Sequence, residues 1–438
     1  MHGSNWVAAV SAGSAGDIKR DVSSPARALA SAFALTIVSL IATSAARAEF
    51  AYVTNVDSNN VSVIDTASNT VTTTVTVGSR PVGVAITPDG AFAYIANLGS
   101  DNVSVIDTVS NTVLSTVPVG SLPFGIAITP DGAFAYVSNR GSDDVSVIDT
   151  ASNTVIATVT VGDNPLGVAI TPGGAFAYVA NAGPSNVSVI DTATNTVSAT
   201  VPVGNGSAPE GVAISPDGTF AYVTKLFTDD VAVIDTANNT VIATVSVDSV
   251  PVAVAITPDG AFGYVTNRGS DNVSVVDTAS NTVTVAVTVG SSPEGVAITP
   301  DGAFAYVVNG GSDNVSVIDT ASNAITATVT VGDFPLGVAI TPAQGDADAD
   351  GVQDALDQCP ATAVPESAPT SGELGQARYA LRRGVTFSMG PKAKTVYATT
   401  DTAGCSCEQI VAALGLGKGH LKFGCSNGAM KAWIVGLP

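Results

Sequence analysis

The chain has 438 residues, and its 37 Asp and Glu outnumber 16 Lys and Arg to give a formal net charge of −21. That excess of negative charge repels nucleic acid and anionic lipid, which excludes both as partners. Histidine occurs only at His2 and His420, so the long middle of the chain has no imidazole for a metal, a haem or a general base.

The first 48 residues read as a leader. Lys19, Arg20 and Arg27 precede an apolar run over 28–46, which ends in Ala46-Arg47-Ala48. This is the pattern of a secretory signal with a small-x-small cleavage site. A membrane anchor is the alternative, because the run is near spanning length. The signal reading implies a secreted, periplasmic or cell-surface protein with no membrane span in the mature chain.

A repeat of about 42 residues then fills positions 49–342. Its tyrosines fall at Tyr52, Tyr94, Tyr136, Tyr178, Tyr222, Tyr264 and Tyr306. An Ile/Val-Asp-Thr marker and a Val/Ile-Ala-Ile-Thr/Ser-Pro marker keep step with them. Each unit holds four short runs rich in Val, Ile and Thr, separated by turn residues. In one unit these are strand A over 125–129, B over 134–139, C over 145–149 and D over 154–161. Pro130-Asp131-Gly132 supplies the A–B turn and Asp149-Thr150-Ala151-Ser152-Asn153 the C–D turn. Seven such units predict an all-β fold, a seven-bladed β-propeller of four-stranded antiparallel blades. The first unit lacks an A strand and the last A strand lacks a B strand. A three-plus-one clasp is therefore expected, with 50–77 supplying strands B, C and D to the blade whose A strand is 336–341.

The repeats resemble the YVTN family of β-propeller repeat proteins through Tyr52-Val53-Thr54-Asn55, Val63-Ile64-Asp65-Thr66 and Val84-Ala85-Ile86-Thr87-Pro88-Asp89-Gly90. The resemblance implies a propeller, often secreted, and says little about activity, since such rings include scaffolds, binding modules and enzymes. The A strands read Gly-Val-Ala-Ile-Thr with few variants, so the channel they line should be narrow and apolar. The Asp of Ile-Asp-Thr recurs in every blade, which fits a turn-stabilising job better than a reaction centre.

Variation gathers in the D–A connections and B–C loops, which should open on one face. From Glu49 to Thr341 the only cations are Arg80, Arg140, Lys225 and Arg268, against 26 Asp and Glu. All four lie in these loops or at their edge. Arg80, Phe124, Arg140, Lys225, Phe227 and Arg268 are the candidate partner-binding residues, for a protein or a glycan. Glu210 and Glu294 are the candidate carboxylates of an enzymatic alternative.

Beyond the ring, Asp346, Asp348, Asp350, the carbonyl of Val352, Asp354 and Asp357 fall at positions 1, 3, 5, 7, 9 and 12 of an EF-hand-like loop with Gly351 at position 6. This predicts one Ca²⁺ site, and the following Cys359-Pro360 makes the segment resemble thrombospondin type 3 repeats, which are calcium-binding and extracellular. A disordered acidic linker is the alternative. Residues 361–373 read as a linker, and 374–438 as a small α-containing domain with short helices over 408–414 and 429–435. Cys359, Cys405, Cys407 and Cys425 suit disulfides in a secreted protein, with Cys359 and Cys425 each linked to one of the other two. A zinc site from Cys405, Cys407, His420 and Cys425 competes with that reading.

Two functions follow. The first is a secreted, monomeric, non-enzymatic recognition or scaffold propeller with a Ca²⁺-stiffened spacer, leading to the disulfide-bonded tail. The second is a lactonase-like propeller hydrolase or oxidoreductase. The missing histidine and apolar A strands weigh against the second, and a cluster of carboxylates at the channel mouth would favour it.

Overall fold

A computed structural model describes residues 49–342 and three later strands, Arg378–Arg383, Thr386–Met389 and Cys425–Ser426. Residues 49–342 form seven four-stranded antiparallel sheets, the blades of a ring. Blade I joins Pro335–Ile340 to Phe50–Asn55, Asn60–Asp65 and Thr70–Thr76, in that order. Blades II to VII follow along the chain, with innermost strands Pro81–Ile86, Pro123–Ile128, Pro165–Ile170, Pro209–Ile214, Pro251–Ile256 and Pro293–Ile298. We label the strands of each blade A to D from the axis outward.

The register places Ala51 opposite Ile340 and Val53 opposite Val338, so the two ends of the ring share one sheet. Strand A begins two residues earlier than the apolar alternation indicates. Pro123 pairs with Asn139 across a bulge before the regular ladder starts at Ile126. A Pro suits that first position because no ladder bond needs its missing N–H.

The core lies between blades. Tyr94, Ala96, Val103, Val105 and Val117 of blade II pack on Ala135, Val137 and Ile148 of blade III. The ring-closing interface uses the same positions, with Ala51, Val53 and Ile64 against Tyr306, Val308, Val315 and Val317. Each such buried Val or Ile stabilises by about 1.5–3 kcal/mol relative to exposure. A hydrogen bond from the repeated Tyr crosses six of the interfaces. Tyr52, Tyr94, Tyr136, Tyr178, Tyr264 and Tyr306 donate their hydroxyls to Asn111, Asn153, Asn195, Asn239, Asn323 and Asn69 of the next blade at 2.7–2.9 Å. These asparagines sit in the C–D turn at φ near 53°, a left-handed conformation that Asn tolerates better than most residues.

The repeated Asp has the turn role expected of it. Asp149 Oδ1 accepts the N–H and hydroxyl of Ser152 at 2.7 Å, and Asp277 and Asp319 do the same with Ser280 and Ser322. These bonds hold the three carboxyls below the usual carboxylate range.

The later strands form a separate three-stranded sheet in the order Thr386–Met389, Arg378–Arg383, Cys425–Ser426. The apolar pattern did not single out this hairpin, because its strands are short and carry Arg378, Arg382 and Arg383. The leader over 1–48, the Ca²⁺ loop over 346–357, the linker, Cys359, Cys405, Cys407, His420 and the helices over 408–414 and 429–435 lie outside the described residues. Cys425 falls in a strand, but its side chain is likewise outside them.

Candidate active site

The seven A strands line a central cavity of about 190 Å³. Their close approach explains the recurring Gly. A Cβ on Gly83 would stand 2.3 Å from the Phe124 carbonyl oxygen of the next blade, and one on Gly167 would stand 2.3 Å from that of Glu210. Six blades have Gly there and blade VI has Ala253, so the cavity is narrow, as the sequence implies.

One residue before that Gly or Ala the blades carry unlike side chains, of which Val82, Phe124, Glu210, Val252 and Leu336 line the cavity. The series is Val82, Phe124, Leu166, Glu210, Val252, Glu294 and Leu336. Five are apolar and two are carboxylates, which stand in blades V and VII. Between them, in blade VI, the B–C loop brings down Arg268. Its Nε and Nη2 donate to Glu294 Oε1 and Oε2 at 2.8 and 2.6 Å. Its Nη2 also lies 3.6 Å from Glu210 Oε1. Three neighbouring blades thus place a carboxylate, a guanidinium and a second carboxylate at the channel mouth.

Their electrostatics differ. Glu294 is 2% exposed and its fork-to-fork bond fixes Arg268 in place. Burial raises the Glu294 carboxyl, although the Arg268 bond and charge pull the other way. Burial works to lower Arg268, but the bond to Glu294 and the charges of Glu294 and Glu210 outweigh it and leave it raised. Glu210 is pushed up to about 7, first by burial and further by Glu294, against the opposing charges of Arg268 and Arg140. A carboxyl with that value exchanges a proton readily near neutrality. The histidine missing from the ring therefore does not leave the site without an acid–base group.

The other candidate residues divide. Phe124 is half-buried and lines the cavity. Arg140 is exposed, donates from Nε to Asn164 Oδ1 at 2.6 Å, and its charge reaches Glu210. Arg80 is exposed on the same face, and Phe227 is 72% exposed. Lys225 is buried, with Nζ 2.7 Å from Asp230 Oδ1, so it presents no free cation to a partner. It stands where other blades have Asn55, Asn97, Asn181, Asn267 and Asn309, whose Nδ2 donates to an Asn and to a Ser of strand C. In blade V that Asn–Asn–Ser set becomes Lys225, Asp230 and Ala232, and the Ser→Ala change makes room for the longer side chain.

The Arg268–Glu294 pair was not anticipated. A signal for it existed in the repeats, since residues 28 apart meet across blades at this height. Thr54 Oγ1 donates to the Val82 carbonyl, Thr224 to that of Val252 and Thr266 to that of Glu294. Arg268 lies in the loop just past Thr266.

The donor set does not suit a metal. A guanidinium occupies the space between the carboxylates, and among the described residues no group of three or more His, Cys, Asp or Glu is placed to hold one. What the cluster can do is acid–base chemistry beside a fixed positive charge.

The fold and this mouth define a seven-bladed propeller with a carboxylate–guanidinium centre at its axis. The sequence model of the family described as "Lactonase, 7-bladed beta-propeller" matches residues 111–200 and 191–341. Together these span more than half of the chain, which belongs to that family. Three solved structures resemble it. Kuenenia stuttgartiensis hydrazine synthase is 29% identical with a TM-score of 0.58, over 62% of this chain and 92% of that one. The Pseudomonas aeruginosa periplasmic gluconolactonase PpgL is 21% identical with a TM-score of 0.58, over 68% and 100%. A putative 6-phosphogluconolactonase from Bacteroides uniformis is 18% identical with a TM-score of 0.59, over 67% and 100%. At those identities the last two show the fold alone. No curated protein matches the chain. The family membership supports the lactonase-like alternative over the scaffold reading.

Proposed function

We propose that the protein hydrolyses a cyclic ester at the channel mouth. The observation that carries this is the Glu210 carboxyl, buried beside Arg268 at 3.6 Å and raised to about 7. In its ionised form Glu210 takes a proton from water. The resulting hydroxide adds to the lactone carbonyl carbon, and the carbonyl oxygen becomes an oxyanion. Arg268 faces that charge with its Nη1 donors, because Glu294 already engages Nε and Nη2. The ring C–O bond then breaks, and the leaving alkoxide takes the proton back from Glu210. Water and lactone give one hydroxy acid, and Glu210 returns to its starting state. Glu294 acts as a positioning residue for Arg268.

The test is hydrolysis of a panel of five- and six-membered lactones in a pH-stat. General acid–base groups typically contribute about 10²–10⁴-fold, so Glu210→Gln should lower kcat by about that factor. Unchanged turnover in Glu210→Gln would remove Glu210 from the mechanism. The secreted location and the Ca²⁺ loop stand beside this reading as proposals from the sequence. Calorimetric titration with Ca²⁺ should show one site that Asp350→Ala abolishes.

A further inference from the structure

The mouth of the channel is two-sided. Blades V to VII carry Glu210, Arg268 and Glu294, as described. Blades I to III carry a buried apolar group that includes Val82 and Leu98, with Phe124 and Leu336 packed on it. Above that side, two D–A connections present Leu122 and Phe334, 42% and 40% exposed. The cavity itself is lined by Val82, Phe124 and Leu336 on one side and Glu210 on the other. Among its lining residues Glu210 alone has a polar side chain.

This composition is informative about the ligand. A polyhydroxylated ring needs a hydrogen-bonding group for each hydroxyl it brings out of water, and a hydroxyl buried without one is penalised. The lining offers one side-chain candidate. A hydrocarbon group needs no such partners and gains from an apolar wall.

The rim positions add a second observation. Arg80, Leu122, Asn164, Ala208, Val250, Ser292 and Phe334 occupy the same place in seven D–A connections, and all have φ between 46° and 59°. Gly would relieve that conformation, yet none of the seven is Gly. The conformation recurs in all seven blades and so belongs to the repeat, while the side chain it carries varies from blade to blade. Leu122 and Phe334 are the two largest apolar ones, and both stand on the side of the apolar group.

We infer that the lactone taken by this site carries a hydrocarbon substituent, seated against Val82, Phe124 and Leu336, with its ester facing Glu210 and Arg268. This rests on the hydrolase reading above. A cavity of about 190 Å³ is somewhat larger than one that holds benzene, so it accepts about six to eight carbons.

The experiment uses the full chain and a series of γ-lactones, from the unsubstituted ring to long alkyl chains, beside glucono-δ-lactone. The same series of γ-lactams, which resist hydrolysis, is used for calorimetric binding. Hydrolysis should rise in kcat/KM by about fourfold per methylene until the cavity fills, and lactam affinity should rise in parallel. Phe124→Ser and Leu336→Ser should flatten both slopes while Phe124→Leu retains them, and melting curves should show that each variant is folded. Hydrolysis without a chain-length slope, or with a preference for glucono-δ-lactone, overturns the inference and leaves the hydrolase reading standing. Length-dependent lactam binding with no hydrolysis of any lactone supports the apolar seat and removes the hydrolase reading. Lactam binding that ignores chain length overturns the inference whatever the hydrolysis result.

Discussion

The two ends of the ring are built from the same seven repeats but are held in different ways. At the end formed by the A–B and C–D turns, side chains hold the structure. Tyr94 reaches Asn153 of the next blade at 2.8 Å, Asp149 caps its own turn, and Thr150 Oγ1 donates to the Gly132 carbonyl at 2.6 Å. At the other end the varied residues are held through their own main-chain groups. The amide of Leu98 donates to the Arg80 carbonyl, that of Arg140 to Leu122 and that of Arg268 to Val250, at 2.9–3.0 Å. The amides of Leu122, Val250, Ser292 and Phe334 are taken in turn by Asp101, Asp229, Asp271 and Asp313 of the preceding blade. A position whose geometry is fixed by main chain leaves its own side chain free to differ. That is why one end is uniform and the other could acquire Glu210, Arg268 and Glu294.

The largest effect should come from removing the guanidinium at the varied end. Arg268→Ala strands the Glu294 carboxylate, whose side chain is 3% exposed, without its partner. Breaking a buried pair on one side costs about 3–5 kcal/mol, and the low end applies because the Arg268 side chain is 34% exposed. Urea denaturation should show this loss, together with loss of lactone hydrolysis. Arg140→Ala, at an exposed position of the same face, should stay within about 0.5 kcal/mol.

Glu210 gives a pH-dependent effect. Its value of about 7 lies above the 4.5 of an ordinary Glu, so burial favours the protonated acid. The native state keeps a proton that the unfolded chain releases between those two values. This stability is present below pH 4.5 and is lost as pH rises through 7. Glu210→Gln cannot ionise and should be more stable than the native chain at pH 8, by on the order of 2–3 kcal/mol, and nearly equal to it at pH 4. Activity should run the opposite way, with kcat/KM of the native chain rising with pH and levelling above about 7. A stability difference that does not change with pH would show that the Glu210 carboxyl binds its proton equally well in the folded and unfolded chain, so that burial does not raise it.

At the uniform end single substitutions should cost less, and they separate two causes. Asn153 accepts the Tyr94 hydroxyl and sits at φ 52°. Asn153→Gly removes the bond alone, about 1 kcal/mol. Asn153→Ala adds the left-handed backbone penalty of roughly 1–2 kcal/mol. Equal losses for the two variants would mean that backbone conformation contributes nothing at this turn.

These contrasts also explain what the sequence could reveal. The blade count, the turns and the roles of Asp149 and its equivalents were legible because they recur with a fixed period and depend on local residues. The narrow, apolar wall of the channel was legible because Gly-Val-Ala-Ile recurs in the A strands, whereas Glu210 enters the lining from the position just before that run. Glu210 and Glu294 stood out as the two carboxylates among apolar equivalents, but their link through Arg268 crosses three blades, and distance in sequence hides it. Lys225 shows the converse. It is conspicuous among repeated Asn residues, which made it a candidate partner-binding cation, yet it is buried against Asp230. Its direction is set by strand B, whose last residue points inward in every blade.

The smallest net effect tests that last point. Lys225→Asn alone places an amide beside Ala232, which cannot supply the hydroxyl that Ser188 or Ser274 gives in other blades. It also leaves Asp230, whose side chain is 16% exposed, without its cation. A loss of about 1–3 kcal/mol is expected from the unpaired groups. Adding Asp230→Asn and Ala232→Ser rebuilds the set used by blades I, II, IV, VI and VII and should bring stability back to within about 0.5 kcal/mol of the native chain. Ala232→Ser without the other two changes crowds Lys225 and should destabilise. A triple variant no better than Lys225→Asn would show that blade V has diverged in its backbone as well as in its side chains. Recovery would show that the scaffold is interchangeable from blade to blade down to these three residues, and that the difference between blades which matters for chemistry lies at the channel mouth.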